Sequence, residues 1–122
     1  IAVAPDFTMW GFSQYEKMAI LSQGRLERSS DYGPEPMVTT RTFWQSGEGH
    51  RLLHGPIDIG CPTRLLHGQA DSDVPWQYGL ETAKLLGSSD VQTILIKDGD
   101  HRLSRPADID LLIRQVEDLL AG

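Results

Sequence analysis

The sequence is poor in the features that mark several classes of protein. It has one cysteine, Cys61, and no group of cysteines and histidines at zinc-ligand spacing, which excludes an intrachain disulfide framework and a zinc finger. It has no apolar run near the roughly 20 residues of a membrane-spanning helix. Lys and Arg number 11 against 17 Asp and Glu, without a basic cluster, so nucleic acid and anionic membranes are poor candidate partners. A lone cysteine favours a reducing compartment, and we expect a cytoplasmic location.

The chain also lacks an initiating methionine. It starts at Ile1, in the apolar run Ile1–Ala4, which does not have the charged-then-apolar pattern of a signal peptide. We therefore expect a segment upstream of Ile1 to have been removed. The 122 residues, 39% of them hydrophobic and 23% charged, are typical of one globular domain at most.

Composition divides the chain into three zones. Residues 1–6 are predicted to be a strand and its loop, stopped at Pro5. Residues 7–59 form a polar, aromatic-studded stretch broken by glycine and proline, with one helix predicted from a Thr8 cap to about Leu21 and another from Val38 to about Ser46.

Residues 60–122 have a regular rhythm. Strands are predicted at Thr63–His67 and Val91–Ile96, because both runs are apolar and bounded by turn residues. The helix between them follows Val74-Pro75 and closes at Gly87, and the last helix is opened by Ser104 and Pro106. This order of elements predicts a βαβα unit with parallel strands, and therefore an α/β fold.

Asp71 and His101 lie in the loops that follow the two strands. In parallel sheets such loops share one edge, and the separation of 30 residues (101 − 71) suits one crossover unit. A carboxylate that accepts a proton from one imidazole nitrogen leaves the other nitrogen available as a general base. We therefore predict Asp71 and His101 as the acid and the base of a hydrolytic triad.

Two segments carry a family resemblance. Pro62–Pro75, with Asp71 three residues after Gly68, resembles the acid-bearing strand and loop of α/β hydrolases, and Lys97–Arg102 resembles their histidine loop. Ala4–Phe7 and His50–Pro56 are similar to serine esterases of the mitochondrial depalmitoylase and acyl-glucuronide esterase type. The resemblance implies a lid over an acyl pocket within residues 7–59. It also implies hydrolysis of carboxylic esters or thioesters through an acyl-serine intermediate, without cofactor or metal.

The nucleophile of such a triad is missing. The family carries it in a G-x-S-x-G elbow, and the sequence has no such motif, since Ser13 stands in Gly11-Phe12-Ser13-Gln14-Tyr15. We therefore expect the elbow upstream of Ile1, and the chain alone to be inactive. Two alternatives stay open: a non-catalytic half-domain that associates with another copy through an unpaired sheet edge, or one half of a split hydrolase assembled between chains.

Other residues compete for these roles. Asp73 and Asp6 are rival acids, although Asp73 also suits a helix cap. We interpret His67 as a packed, hydrogen-bonded residue, His50 and His54 as surface or lid residues, and Cys61 as a buried small hydrophobe. Asp98 and Asp100 could raise the pKa of His101 or be solvated loop residues. The aromatics of the lid-like stretch either line an acyl pocket or pack its helices, and the candidates for contact with substrate are Trp10, Phe12 and Trp44.

Overall fold

The computed structural model describes residues 2–122, and these residues form two compact units. One comprises Asp6–Arg51, and the other comprises the residues up to Pro5 together with Leu52–Gly122. Ile1, which belongs to the predicted first strand, lies outside the described residues.

The unit Asp6–Arg51 combines short helices with an antiparallel hairpin. Its elements in chain order are α1 (Phe7–Trp10), α2 (Gln14–Gln23), β1 (Arg25–Arg28), β2 (Met37–Thr40) and α3 (Arg41–Glu48). The hairpin pairs Arg25 with Thr40 and Arg28 with Met37. A purely helical insertion was expected here, so the hairpin is a correction.

Both helices predicted in this unit start later than expected. Thr8 lies inside α1 and does not cap the longer helix; Ser13 caps it, because its Oγ accepts from the backbone N–H of Glu16 while the Glu16 carboxylate accepts from that of Ser13. The segment from Val38 is first extended, since it pairs with β1. The helix α3 begins only after Thr40, whose hydroxyl accepts from Phe43 N–H.

The unit Leu52–Gly122 contains the predicted βαβα unit. Its elements are β3 (Thr63–Gly68), α4 (Gln77–Leu85), β4 (Val91–Ile96) and α5 (Pro106–Ala121). The strands β3 and β4 are parallel, in register from Thr63 opposite Val91 to Gly68 opposite Ile96. Buried aliphatic side chains lie along β3 and in the loops after the strands: Leu65, Leu66, Val74 and Leu103. The parallel strands and both helices are confirmed, with α5 starting at Pro106 and no side-chain cap from Ser104.

Two local expectations were wrong. Cys61 is exposed rather than buried, because it precedes β3 in an open segment. Ala2–Ala4 is not a strand, although the Ala2 N–H donates to the Leu66 carbonyl at 2.9 Å. Among residues 2–122, no helix is both long enough and apolar enough to cross a membrane.

Candidate active site

The loops after β3 and β4 lie against each other because both strands end in glycine-bearing turns. The Ala70 N–H donates to the Gly99 carbonyl at 3.0 Å, and the Gln69 N–H donates to the Ile96 carbonyl at 2.8 Å. A Cβ on Gly68 would overlap the Gly99 backbone and lie 2.6 Å from the Asp100 carbonyl oxygen, so only glycine permits this approach. The close contact brings the two predicted catalytic loops together.

Asp71 is held by donors on both of its oxygens. Oδ1 accepts from the backbone N–H groups of Asp73, at 2.8 Å, and Val74, at 3.0 Å, while Oδ2 accepts from His101 Nδ1 at 2.9 Å. The side chain is 1% exposed. Burial raises the pKa of this carboxyl, but the donors from Val74, His101 and Asp73 together outweigh burial and hold the pKa below its usual value. Asp71 is therefore an oriented carboxylate at neutral pH.

His101 is arranged as a general base. Because a carboxylate only accepts, Nδ1 must carry the proton, which leaves the lone pair of the neutral ring on Nε2. The side chain is 36% exposed, in contrast with Asp71. Among residues 2–122, its side-chain contacts are to carboxylates, at Asp71 and at Asp73, whose Oδ2 is 4.0 Å from Nε2. The Nε2 atom can thus take a proton from a nucleophile that approaches it.

The rival acids occupy different places. Asp73 is exposed and does not cap α4, which has Trp76 at its N-cap position and no side-chain cap, so the predicted capping role was wrong. Asp73 instead lies near the second nitrogen of His101. Asp6 is buried in the unit Asp6–Arg51, in the left-handed backbone region at φ 56°.

Asp98 and Asp100, which are close to His101 in sequence, have partners other than His101. Asp98 pairs with Arg105, whose guanidinium lowers the pKa of the Asp98 carboxyl. Asp100 Oδ1 accepts from the Leu103 N–H at 2.9 Å. Both carboxylates are exposed and have partners in the segment that follows His101, at Arg105 and Leu103.

His67 is a buried, hydrogen-bonded residue, as expected, and it lies beside the acid. Its Nε2 is 2.9 Å from the Val74 carbonyl oxygen and 3.2 Å from Asp71 Oδ2. The contact with Asp71 was not foreseen. The sequence spacing could have indicated this contact, because the turn that follows β3 brings a residue four positions later close to the end of the strand. His50 and His54 are exposed, as expected.

The residues predicted to contact substrate all lie in the unit Asp6–Arg51. Trp10, Phe12 and Trp44 are half-buried. The Arg28 guanidinium lies 4.6 Å from the centre of the Phe12 ring, which packs Phe12 within its own unit. Ser13 is occupied as a helix cap. The substrate contacts remain predictions.

One group of side chains has the composition of a cation site. Asp71, Asp73 and His101 offer ligand atoms within 4.8 Å of one another. The Asp71 oxygens and His101 Nδ1 already bind each other or the backbone, so a cation would have to displace these hydrogen bonds. The arrangement therefore suits proton transfer better than cation binding.

Comparison with known proteins places the chain among hydrolases. No family model matches. The chain is 51% identical over 127 residues to the mitochondrial palmitoyl-protein thioesterase ABHD10 of Mus musculus, covering 98% of the chain and 42% of the relative. The Homo sapiens protein of the same name is 37% identical over 124 residues, covering 98% of the chain and 40% of the relative. The chain thus spans about two fifths of these relatives.

A solved structure supports the relationship. The mouse α/β hydrolase domain-containing protein 10 superposes with a TM-score of 0.86, over 98% of this chain and 50% of that one, with 38% identity over the superposed chain. The predicted fold class is therefore confirmed. The chain has the fold of the C-terminal portion of an α/β hydrolase and is similar in sequence to proteins of that class.

Proposed function

We propose that this chain supplies the acid and the base of a serine hydrolase that cleaves acyl thioesters or esters. The observation that carries the proposal is the 2.9 Å bond between His101 Nδ1 and the buried Asp71 carboxylate, in a His101 side chain that is itself partly exposed. Asp71 orients the imidazole and stabilises the imidazolium that forms when His101 accepts a proton.

The reaction follows from these roles. His101 Nε2 removes the hydroxyl proton of a serine as its oxygen attacks the acyl carbonyl, and then gives that proton to the departing thiolate or alkoxide. A water molecule, deprotonated by the same nitrogen, attacks the acyl-serine and releases the carboxylic acid. The protonated His101 gives the proton taken from water to the departing serine oxygen, which restores the serine hydroxyl and the neutral ring, and no cofactor is consumed.

The serine comes from outside residues 1–122 in this proposal. The sequence contains no G-x-S-x-G motif, and Ser13 caps α2. The chain alone is therefore expected to be inactive. The comparisons lend no support to a partner chain, so the simplest source of the serine is the remainder of a longer hydrolase.

The names of the relatives suggest the substrate and the location. Both sequences are called mitochondrial palmitoyl-protein thioesterases. We propose a long-chain acyl thioester of a protein cysteine as the substrate and the mitochondrion as the compartment. The names give no support to the expected cytoplasmic location.

A chimera tests the catalytic assignment. The portion of the mouse thioesterase that aligns with this chain is replaced by the chain, and hydrolysis of a palmitoylated cysteine peptide is measured. We expect Asp71→Asn to lower kcat on the order of 10⁴-fold, as loss of the acid does in a serine-protease triad. His101→Gln should lower it at least as far.

An exposed residue gives a matched control. Asp118→Asn makes the same chemical change as Asp71→Asn at an exposed position of α5 and should leave kcat unchanged. The proposal fails if the His101→Gln chimera hydrolyses the peptide as fast as the parent chimera. The isolated 122-residue chain should show no hydrolysis in the same assay.

A further inference from the structure

The imidazole of His67 is the most deeply buried titratable group that the proposed reaction does not use. It stands one residue before the end of β3 and is 2% exposed. A polar ring in such a place is costly unless its N–H is hydrogen-bonded. Its nitrogen Nε2 meets the Val74 carbonyl at 2.9 Å and Asp71 Oδ2 at 3.2 Å.

These two contacts fix the tautomer of His67. Carbonyl and carboxylate oxygens only accept hydrogen bonds, so Nε2 carries the proton in the neutral ring. The N–H is directed to Val74 and has Asp71 Oδ2 as a close second oxygen. The His67 side chain therefore contacts both ends of the turn Asp71–Val74, through a hydrogen bond to Val74 and a close polar contact with Asp71.

The same oxygen of Asp71 thus faces two imidazole N–H groups. His101 Nδ1 lies 2.9 Å from Oδ2 on one side, and His67 Nε2 lies 3.2 Å away on the other. An N–H close to a carboxylate oxygen stabilises its negative charge. The carboxylate then attracts the proton of a second donor less strongly. Within residues 2–122, the charged side chains at ion-pair distance from the two rings are Asp71, which is close to both, and Asp73, which is close to His101.

We propose that His67 is a positioning residue for the acid. Its Nε2–H is donated to the Val74 carbonyl and lies beside Asp71 Oδ2, with Nε2 3.2 Å from that oxygen. This close polar contact holds Asp71 against His101 and moderates the attraction of the carboxylate for the His101 proton. The catalytic consequence rests on the proposed function, but the coupling between the two histidines does not.

NMR titration of the 122-residue chain measures the coupling directly. In His67→Phe a planar aromatic ring is kept and the N–H donor is lost, so the carboxylate of Asp71 attracts the His101 proton more strongly. We expect the pKa of His101 to rise by about half to one unit, the size that one net hydrogen bond corresponds to. His67→Gln restores an N–H near the position of Nε2 and should return the pKa toward that of the parent chain.

Two comparisons make the result decisive. His54→Phe removes an exposed imidazole and should leave the His101 titration unchanged. A folded His67→Phe variant whose His101 titrates as in the parent, or with a lowered pKa, overturns the proposal. So does a shift that His67→Gln leaves in place.

The parent chain gives a test that needs no variant. The ¹⁵N shifts of His67 should identify the Nε2–H tautomer, and that proton should exchange slowly because the ring is buried. Finding the Nδ1–H tautomer would overturn the proposal even if His67→Phe does not fold.

Kinetics of the chimera separate this proposal from the proposed function. The acid limb of its kcat/KM profile should move to higher pH in His67→Phe, in step with the NMR pKa, while KM changes little. An inactive chimera with the NMR shift present would count against the proposed function alone. An active chimera without the shift would count against the role of His67 alone.

Discussion

The two units of the chain are stabilised in different ways. In Asp6–Arg51, much of the observed stabilisation comes from polar and surface interactions: helix caps at Ser13 and Thr40, a short hairpin, and ion pairs on exposed side chains such as Arg25 with Glu27. The buried aliphatic side chain there is Ile20, which is fully buried.

The unit Leu52–Gly122 depends on contacts between residues far apart in sequence. Its two parallel strands and the loops after them bury the side chains of Leu65, Leu66, Val74 and Leu103. Surface ion pairs contribute about 0–1 kcal/mol each, whereas a buried leucine contributes about 2–5 kcal/mol relative to alanine. The comparison explains why the candidate site lies in this unit: catalytic side chains need a rigid support, and the buried strands supply it.

The largest expected effect is the loss of a buried side chain from β3. Leu66 is 4% exposed, and we expect Leu66→Ala to lower the free energy of unfolding by about 2–5 kcal/mol. Leu21→Ala in α2 removes the same atoms from a side chain that is 47% exposed. This control should change the free energy of unfolding by about 0.5 kcal/mol or less. Urea denaturation of both variants measures the difference, and equal losses would contradict the comparison.

A second prediction concerns the approach of the two catalytic loops. Gly68→Ala places a methyl group against the backbone of Gly99 and Asp100, so we expect a loss of about 1–3 kcal/mol in the free energy of unfolding. The shift of the loops should also change the NMR titration of His101. Gly55→Ala is the control, because a Cβ there meets no atom within 4 Å. An unchanged His101 titration in a stable Gly68→Ala chain would show that the close approach is not needed.

A third prediction tests the local interactions of the other unit. Ser13→Ala removes the N-cap of α2 and should lower the free energy of unfolding by about 1 kcal/mol. Chimera activity should remain, since Ser13 is a cap in this structure and not a nucleophile. Ser89→Ala, at an exposed turn position, serves as the control for loss of a hydroxyl. Loss of activity together with unchanged stability would reverse the assignment.

The smallest expected effect is a pH dependence in the same helix. Hydrogen bonds from Arg28 and from the Ser13 backbone lower the pKa of Glu16 to about 2. A lowered pKa stabilises the fold above the unfolded value of 4.5, and this contribution is lost as the pH falls toward 2.

Glu16→Gln isolates that contribution because glutamine can still complete the capping box. Since the pair is partly exposed, we expect the variant to be less stable by about 0.2–1 kcal/mol at pH 7 and to match the parent chain near pH 2. Thermal unfolding across this pH range measures the difference, for which Glu117→Gln, at an exposed position of α5, is the control. A difference that persists below pH 2 would show that the charge of Glu16 is not its source.

Sequence patterns predicted the secondary structure of the unit Leu52–Gly122 more accurately than that of Asp6–Arg51. The strand Val91–Ile96 was predicted to the residue, because a β-branched apolar run between turn residues has few other solutions. The segments around Thr8 and Val38 were assigned wrongly as helix starts. At Thr8, a residue that could cap a helix stood near Ser13, which does cap it, and the Ser13–Glu16 capping box settled the choice. At Val38, the segment pairs with β1 before the helix starts, and the chain pattern does not show this pairing.

The site shows the same division between sequence and tertiary structure. The positions of Asp71 and His101, each directly after a strand of a parallel pair, determined that their loops share an edge of the sheet. The sequence likewise determined the absence of a serine elbow within these residues. Only the tertiary structure decided that Asp71 is buried, that Asp73 lies near the second nitrogen of His101, and that His67 shares the oxygen of Asp71 that His101 uses. The physical reason is that strand order follows from local pattern, whereas hydrogen-bond partners depend on distances that long-range packing sets to within a few tenths of an ångström.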